Sequence, residues 1–231
     1  MWQAFLLGAA SQSSLFISGL AVYWIKVPQK VIGWLAGFGA GALISAIAFD
    51  LIAQVQAAGM GSLELTVWLL IGTFIFIGGD TWVDKQFGAD GSGGPLGIVL
   101  GAVVDGVPES LIFGIQLAAG VPLSAAFLFA VWMSNIPQAL APSADLAQGG
   151  WHIQKMAAVW GVVVLACGLA AGVGYFAANN IGGFNGARMA ALAAGGLLAM
   201  LTDSLMPFAF QRGGQWAGLG TVIGFAISYL L

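Results

Sequence analysis

The sequence predicts an all-α integral membrane protein with eight transmembrane helices. Of its 231 residues, 60% are hydrophobic and only 6% are charged, whereas a soluble domain carries about 25% charged residues. A spanning helix needs about 20 mostly apolar residues, and the chain divides into eight such stretches. We place helices 1 to 8 at 2–25, 30–53, 63–84, 95–118, 122–146, 152–177, 186–209 and 214–231. Because the connections are short, we expect residues 1–231 to form a single transmembrane domain.

The basic residues predict the orientation of the chain. Positively charged residues concentrate in cytoplasmic loops. Only Arg188 lies in an even-numbered loop, and the other five lie in odd-numbered loops: Lys26, Lys30, Lys85, Lys155 and Arg212. We therefore expect a multi-pass protein of the cell (inner) membrane with both termini outside the cytoplasm. The start of the chain, MWQAF, lacks a basic region, so we expect no cleavable signal peptide.

The supply of reactive side chains argues against an enzyme. Cys167 is the only cysteine and His152 the only histidine, which excludes an internal disulfide and makes a haem site or a thiolate metal site unexpected. No Ser–His pair, HExxH motif or mid-helix lysine is present. An intramembrane aspartyl protease would require Asp105 to meet Asp203, and the flanking residues do not resemble that class. We expect no organic cofactor and no nucleic-acid partner.

Stripes of small residues run along helices 2 and 7, and each leads to an acid. Such stripes let helix backbones approach closely, and they permit a homodimer. The stripes are followed by Asp50 in helix 2 and Asp203 in helix 7, and they consist of Gly33, Gly37, Gly41 and Ser45, and of Ala187, Ala191, Gly195 and Ala199. This pattern predicts that helices 1–3 and 6–8 are inverted repeats around a central helix 4/5 pair, a common transporter plan.

Two similar proline motifs lie near the middle of helices 4 and 5. Residues 105–110 read DGVPES, and residues 134–139 read SNIPQA. Each proline removes a backbone donor and frees the carbonyl four residues earlier, at Val104 or Met133. Freed carbonyls at membrane depth are tolerated where they are buried in protein or line a wet cavity.

The motifs predict a cation site made of oxygen ligands. Asp105 and Glu109 are four residues apart and share one helix face, as do Ser134 and Gln138, with Asn135 beside them. If the two faces meet, they present two carboxylates, a hydroxyl and two carboxamides to one point, where a bound cation or a proton must offset the repulsion between the carboxylates. In the alternative interpretation, both acids are protonated and hydrogen-bond to neighbouring helices.

These motifs resemble those of the ZIP (Zrt/Irt-like) metal transporters. The 105–110 stretch is similar to the family's His-Asn-x-Pro-Glu-Gly motif, and the 134–139 stretch to its His-Glu-x-Pro-His/Gln-Glu motif. The resemblance implies an eight-helix fold, a metal site between helices 4 and 5, and transport of divalent cations such as zinc toward the cytoplasm. Carried over by position, the metal ligands are Asp105, Glu109, Ser134, Asn135 and Gln138.

The chain departs from the family pattern in ways that change the expected metal. Both usual histidines are missing, Gly106 replaces an asparagine, and Asn135 is neutral where an acid is usual. We expect a single oxygen-dominated site that suits Mn²⁺, Mg²⁺ or Ca²⁺ better than zinc. The connection between helices 3 and 4, near 86–94, is too short to hold a His-rich loop.

Two functions remain open from the sequence. The first is a transporter of a divalent metal, in which the metal (Zn, Mn or similar) is the transported substrate and Asp203 and Asp50 are pathway candidates. The second is a ZIP-fold protein that has lost metal transport and carries another small solute or only binds a partner. Residues 11–14, SQSS, interrupt helix 1; we expect packing hydrogen bonds there, with pathway lining as the alternative.

Overall fold

The protein is folded entirely from helices over the part of the chain that the structure describes. The computed structural model describes residues 1–87, 94–120, 124–180 and 186–231, without the side chains at 83, 84, 86, 87 and 94–100. Helices in these ranges are α1 (Trp2–Ala21), α2 (Gln29–Ala57), α3 (Ser62–Phe87), α4 (Gly94–Ala118), α5 (Ala125–Gln148), α6 (Ile153–Asn180), α7 (Gly186–Gly213) and α8 (Gln215–Tyr229). The prediction of an all-α protein is confirmed.

Five of the described helices are long and apolar enough to cross a membrane. They are α1, α2, α6, α7 and the Ser62–Trp82 part of α3. Large apolar side chains also cover the outside of the bundle: Leu63 is 80% exposed, Phe74 71% and Val222 67%. A soluble protein rarely leaves such a broad apolar surface in water, so the protein is membrane-embedded. The predicted connection near 86–94 lies mostly outside the described residues.

A break that contains Pro28 separates α1 from α2, and helix 1 is shorter than predicted. α1 ends at Ala21, four residues before the predicted end, and α2 begins at Gln29. Pro28 is the N-cap of α2 and has extended backbone angles, φ −60° and ψ 142°. Proline disfavours helical angles at the residue before it. The chain therefore cannot continue as one helix through Val27 and Pro28.

Helix α1 is interrupted in its middle at Gln12. Its two parts are Trp2–Ser11 and Ser13–Ala21, and Gln12 between them has φ −92° and ψ −1°. The hydroxyls on both sides donate to carbonyls of the preceding turn, Ser11 to Gly8 at 2.8 Å and Ser13 to Ala10 at 2.6 Å. Serine side chains that compete for backbone carbonyls in this way often bend helices.

Helices α2 and α7 each contain one π-helical turn. The turns are Ile47–Leu51 and Leu201–Leu205, and each carries one of the two acids predicted as pathway candidates. Isolated π turns within α-helices are uncommon and often mark functional sites. Asp50 and Asp203 therefore occupy the same kind of local backbone, each one to two turns after a stripe of small residues.

The small-residue stripes bring pairs of helices into backbone contact, as predicted. The stripe of α2 packs on α8, and that of α7 packs on α3. A Cβ atom at Gly41 would collide with the Thr221 carbonyl of α8, and one at Gly195 would collide with the Leu69 carbonyl of α3. Helix α4 packs chiefly on α6, and α5 on α2 and α1. Helices α4 and α5 approach each other along only a short stretch, and α1 contacts them both.

Candidate cation site

The buried carboxylate of the site is Glu109, in the middle of α4. Its side chain is 1% exposed, one position after Pro108, which lies inside the helix. A charged residue at membrane depth is costly, by at least ~2.5–3.5 kcal/mol on insertion scales, and such residues usually mark ion or proton pathways. Glu109 is therefore a buried acid at membrane depth, and its role in the site stays a prediction.

A glutamine from the interruption of α1 links the two proline motifs. Gln12 is fully buried, and its Nε2 donates to Glu109 Oε2 at 2.8 Å. Asn135 Nδ2 of α5 donates to Gln12 Oε1 at 2.7 Å. The motifs of α4 and α5 are thus joined through a third helix. Sequence reasoning placed Gln12 in a polar interruption but did not assign it to the site.

The hydrogen bonds fix the direction of both amides. When Glu109 is ionised it only accepts hydrogen bonds, and Gln12 then turns its Nε2 toward the carboxylate. Its Oε1 then faces Asn135, which must present Nδ2. The chain of donors therefore runs from Asn135 through Gln12 to Glu109.

One oxygen of the Glu109 carboxylate remains available. Oε1 is buried and has no hydrogen-bond partner among the described residues. Leaving a buried acceptor unsatisfied costs about 1–3 kcal/mol, and more for a charged group. A buried carboxylate with one paired and one unpaired oxygen is suited to accept a proton or a cation at the unpaired oxygen.

Asp105 and Gln138 form a second group, one helical turn from the first. Both side chains are partly buried, and both line a cavity of about 210 Å³. The cavity also contacts α6 and the π turn of α7; its other lining residues are Ala102, Pro142, Trp160, Ser204, Leu205 and Phe208. Asp105 and the Gln138 carboxamide thus line the same cavity, whereas Glu109 and Asn135 belong to the network through Gln12.

Ser134 is buried but uses its hydroxyl within its own helix. Its Oγ donates to the Val131 carbonyl at 2.9 Å. The backbone at Ser134 packs tightly on α2, where a Cβ at Gly39 would lie 2.5 Å from Ser134 Cα. Ser134 thus packs on α2, and its hydroxyl proton is engaged within α5. Its oxygen can still accept a hydrogen bond or a cation.

Gly106 lies where a larger side chain would collide with its neighbours. A Cβ atom there would lie 2.7 Å from Cys167 Sγ on α6 and 3.4 Å from Gln12 Oε1. Cys167 is fully buried at this contact. The missing side chain therefore leaves room for the cysteine and for the carboxamide of Gln12. Sequence reasoning did not place Cys167 beside the motif, because its contact with α4 is long-range.

The two pathway acids have different surroundings. Asp50 is partly buried, and its Oδ2 accepts a hydrogen bond from Ser124 Oγ at 2.6 Å. Asp203 is exposed, and the next residue, Ser204, lines the cavity of Asp105. Neither acid contacts Glu109 in the described network. Asp203 thus lies next in the chain to a residue that lines the cavity, and Asp50 is engaged by the start of α5.

The donor set argues against a strong site for a soft metal. The described residues include no group of three or more His, Cys, Asp and Glu side chains able to hold a metal ion. The polar atoms that do converge are carboxylate and carboxamide groups, which suit hard cations. A cation bound here would have two separated carboxylates and neutral oxygens as its protein ligands.

Comparison with known proteins leaves the family assignment to the motifs. The chain matches no protein-family model, and no curated protein is significantly similar to it. The resemblance to the ZIP transporters therefore stays a prediction based on residues 105–110 and 134–139.

Proposed function

We propose that this protein is a ZIP-like membrane transporter that moves a divalent metal cation through a site between helices 4 and 5. The observation that carries the proposal is the Glu109 carboxylate, which is 1% exposed and whose Oε1 has no partner within the described part of the chain. Asp105 lies one turn away and lines a cavity of about 210 Å³. A buried acid next to a cavity-lining acid supplies two successive negative positions for a cation.

The ligand chemistry favours a hard cation as the substrate. The polar side chains at the site are Asp105, Glu109, Gln12, Asn135 and Gln138. Carboxylate and carbonyl oxygens suit Mg²⁺, Ca²⁺ and Mn²⁺, whereas zinc prefers imidazole and thiolate ligands. We therefore propose Mn²⁺ as the first cation to test, with Zn²⁺ as the comparison.

The helix pairings support eight spans built as inverted repeats. Exchanging helices 1, 2, 3 and 4 with 6, 7, 8 and 5 converts the α2–α8 pair into α7–α3, and the α4–α6 pair into α5–α1. All four pairs pack together. The π turns of α2 and α7 also exchange under this operation. Such a repeat supports alternating access, in which one half moves relative to the other around the site.

The orientation follows from the distribution of basic residues. With five of six cations in the odd-numbered loops, both termini face away from the cytoplasm. Asp50 then lies toward the outer face and Asp203 toward the inner face. The cavity that contains Asp105 and borders Ser204 would open toward the cytoplasm, which supports release on that side.

Uptake into proteoliposomes tests the proposal. The purified chain should take up Mn²⁺, and Glu109→Ala should abolish uptake because the buried carboxylate is lost. Glu64→Gln is the matched control, since Glu64 is an exposed acid whose partner is Arg188. Uptake that survives in Glu109→Ala would refute the proposed function.

The second candidate is a ZIP-fold protein that no longer carries metal. It is favoured by one observation: the Gln12 amide nitrogen already satisfies Glu109 Oε2 where a cation would bind. A protein of this kind would bind another small solute, a lipid or a partner. Thermal unfolding with Mn²⁺, Zn²⁺ and Ca²⁺ separates the two, because a lack of stabilisation by every divalent cation would favour this candidate.

A further inference from the structure

The side chain of Gln12 has the wrong polarity for a bound cation. Its Nε2 points at Glu109 Oε2 from 2.8 Å. An amide N–H is a hydrogen-bond donor and cannot ligate a metal. A cation that binds both oxygens of the Glu109 carboxylate must therefore find Nε2 displaced or turned away, because only Oε1 is free of it. The fully buried position of Gln12 leaves no route to bulk solvent.

Turning the amide over resolves this conflict without breaking the network. We infer that Gln12 is a third-helix ligand and that its carboxamide reverses direction when the cation binds. After a half-turn, Gln12 Oε1 faces the cation and Nε2 faces Asn135. The Asn135 amide must then also turn, so that its Oδ1 accepts from Nε2. This inference deepens the proposed transport function and rests on it.

The local structure provides the freedom that such a reversal needs. The terminal torsion of glutamine is broad and roughly two-fold, so two opposite amide orientations are both accessible. Gly106 offers no side chain beside the amide: a Cβ there would lie 3.4 Å from Gln12 Oε1. Gln12 also sits at the interruption of α1, with φ −92° and ψ −1°. The missing side chain at Gly106 keeps space beside the carboxamide.

The reversal leaves the Gln12 amide with polar partners in both states. Without the cation, Gln12 donates to Glu109 and accepts from Asn135. With the cation, Gln12 would ligate it through Oε1 and donate to Asn135. A buried polar network is stable only when its members are satisfied, and both arrangements meet that condition at Gln12. Binding of a cation at Glu109 in α4 would thus change the hydrogen bond of Asn135 in α5 through Gln12 in α1.

Two substitutions with opposite expected effects test the inference. Gln12→Met keeps the chain length but offers no oxygen ligand, so Mn²⁺ affinity should fall about 10-fold or more. Gln12→Glu offers oxygen without an N–H to displace, so affinity should rise by a similar factor, about 10-fold. Mn²⁺ binding would be measured by calorimetry on the purified full chain. Gln116→Met is the matched control, because Gln116 is a buried glutamine of α4 that pairs with Gln54.

A second measurement follows the amide itself. Infrared difference spectra taken with and without Mn²⁺ should show a shift of a side-chain amide carbonyl band that is absent in Gln12→Met. A merely structural role predicts that both Gln12 variants weaken binding alike and that the band does not shift; either result would overturn the inference. If Glu109→Gln removes Mn²⁺ binding while Gln12→Met leaves it intact, only this inference fails. If the unsubstituted protein binds no Mn²⁺, the proposed function fails and the inference with it.

Discussion

Asp50 and Ser124 join the π turn of α2 to the first turn of α5 through a hydrogen bond of 2.6 Å. Ser124 is the N-cap of α5, and its Oγ also accepts from the Phe127 backbone amide at 2.9 Å. One hydroxyl thus caps a helix that carries the SNIPQA motif and holds a pathway acid. The acid, the hydroxyl and the helix N-terminus form a continuous polar chain.

Removing this hydroxyl should loosen the start of α5. Ser124→Ala loses an N-cap contact, which typically costs about 1 kcal/mol, and leaves Asp50 without its donor. We expect a lower thermal unfolding midpoint in detergent. Ser124→Thr is the control, because threonine keeps a hydroxyl that can cap the helix. If Ser124→Ala has the same unfolding midpoint as the unsubstituted protein, the Ser124 hydroxyl adds nothing to stability.

The smallest enlargement of the α2 stripe should be destabilising. In Gly41→Ala the new Cβ meets the Thr221 carbonyl of α8, which is backbone and cannot move without separating the helices. Overpacking of this kind typically costs about 1–3 kcal/mol. Gly78→Ala is the matched control, since no described atom lies within 4 Å of a Cβ at Gly78 in α3. Thermal unfolding should separate the two variants, and equal midpoints would argue against close α2–α8 packing.

Gly106 and Cys167 should be energetically coupled. Gly106→Ala places a Cβ 2.7 Å from Cys167 Sγ, so the single variant should be destabilised. Replacing the thiol in Cys167→Ala removes the clash, and the double variant should recover part of the loss. Contacting residues show interaction free energies of about 0.5–3 kcal/mol. A double-mutant cycle of unfolding free energies measures this coupling, and strictly additive effects would contradict the contact.

The ion pair between Glu64 and Arg188 should matter little. Its atoms lie 2.7 Å apart, but the two side chains are 41% and 46% exposed. Exposed pairs contribute about 0.2–1 kcal/mol, and salt screens them further. We expect Glu64→Gln to shift the unfolding midpoint slightly at low salt and not at 1 M salt. A large shift that persists at high salt would indicate a role beyond this pair.

Local sequence patterns were sufficient for much of the fold. Long apolar runs gave the helices, and the spacing of Gly33, Gly37 and Gly41 gave one face that packs tightly. Pro108 beside Glu109 marked the buried acid. These features depend on residues close in the chain, where helical geometry alone decides which side chains share a face.

The composition of the site was not accessible in the same way. Gln12 joins Glu109 across 97 positions and Asn135 across 123, and no pattern in helix 1 points to either partner. The sequence motifs suggested one convergence of five ligands, whereas the helix arrangement divides Glu109 and Asn135 from Asp105 and Gln138. Tertiary packing places α1 between the motifs of α4 and α5. The local spacing of residues in the sequence does not encode that placement.

The π turn at Ile47–Leu51 allows α2 to serve two different neighbours. One additional residue in a turn rotates everything after it by about 100° relative to a continuous α-helix. Before the turn, the glycine face meets α8; after it, Gln54 accepts a hydrogen bond from Gln116 of α4 at 3.1 Å. The single additional residue thus lets α2 face α8 before the π turn and face α4, the helix of Glu109, after it. Deleting one residue from 47–51 would realign the faces and aim position 54 away from α4.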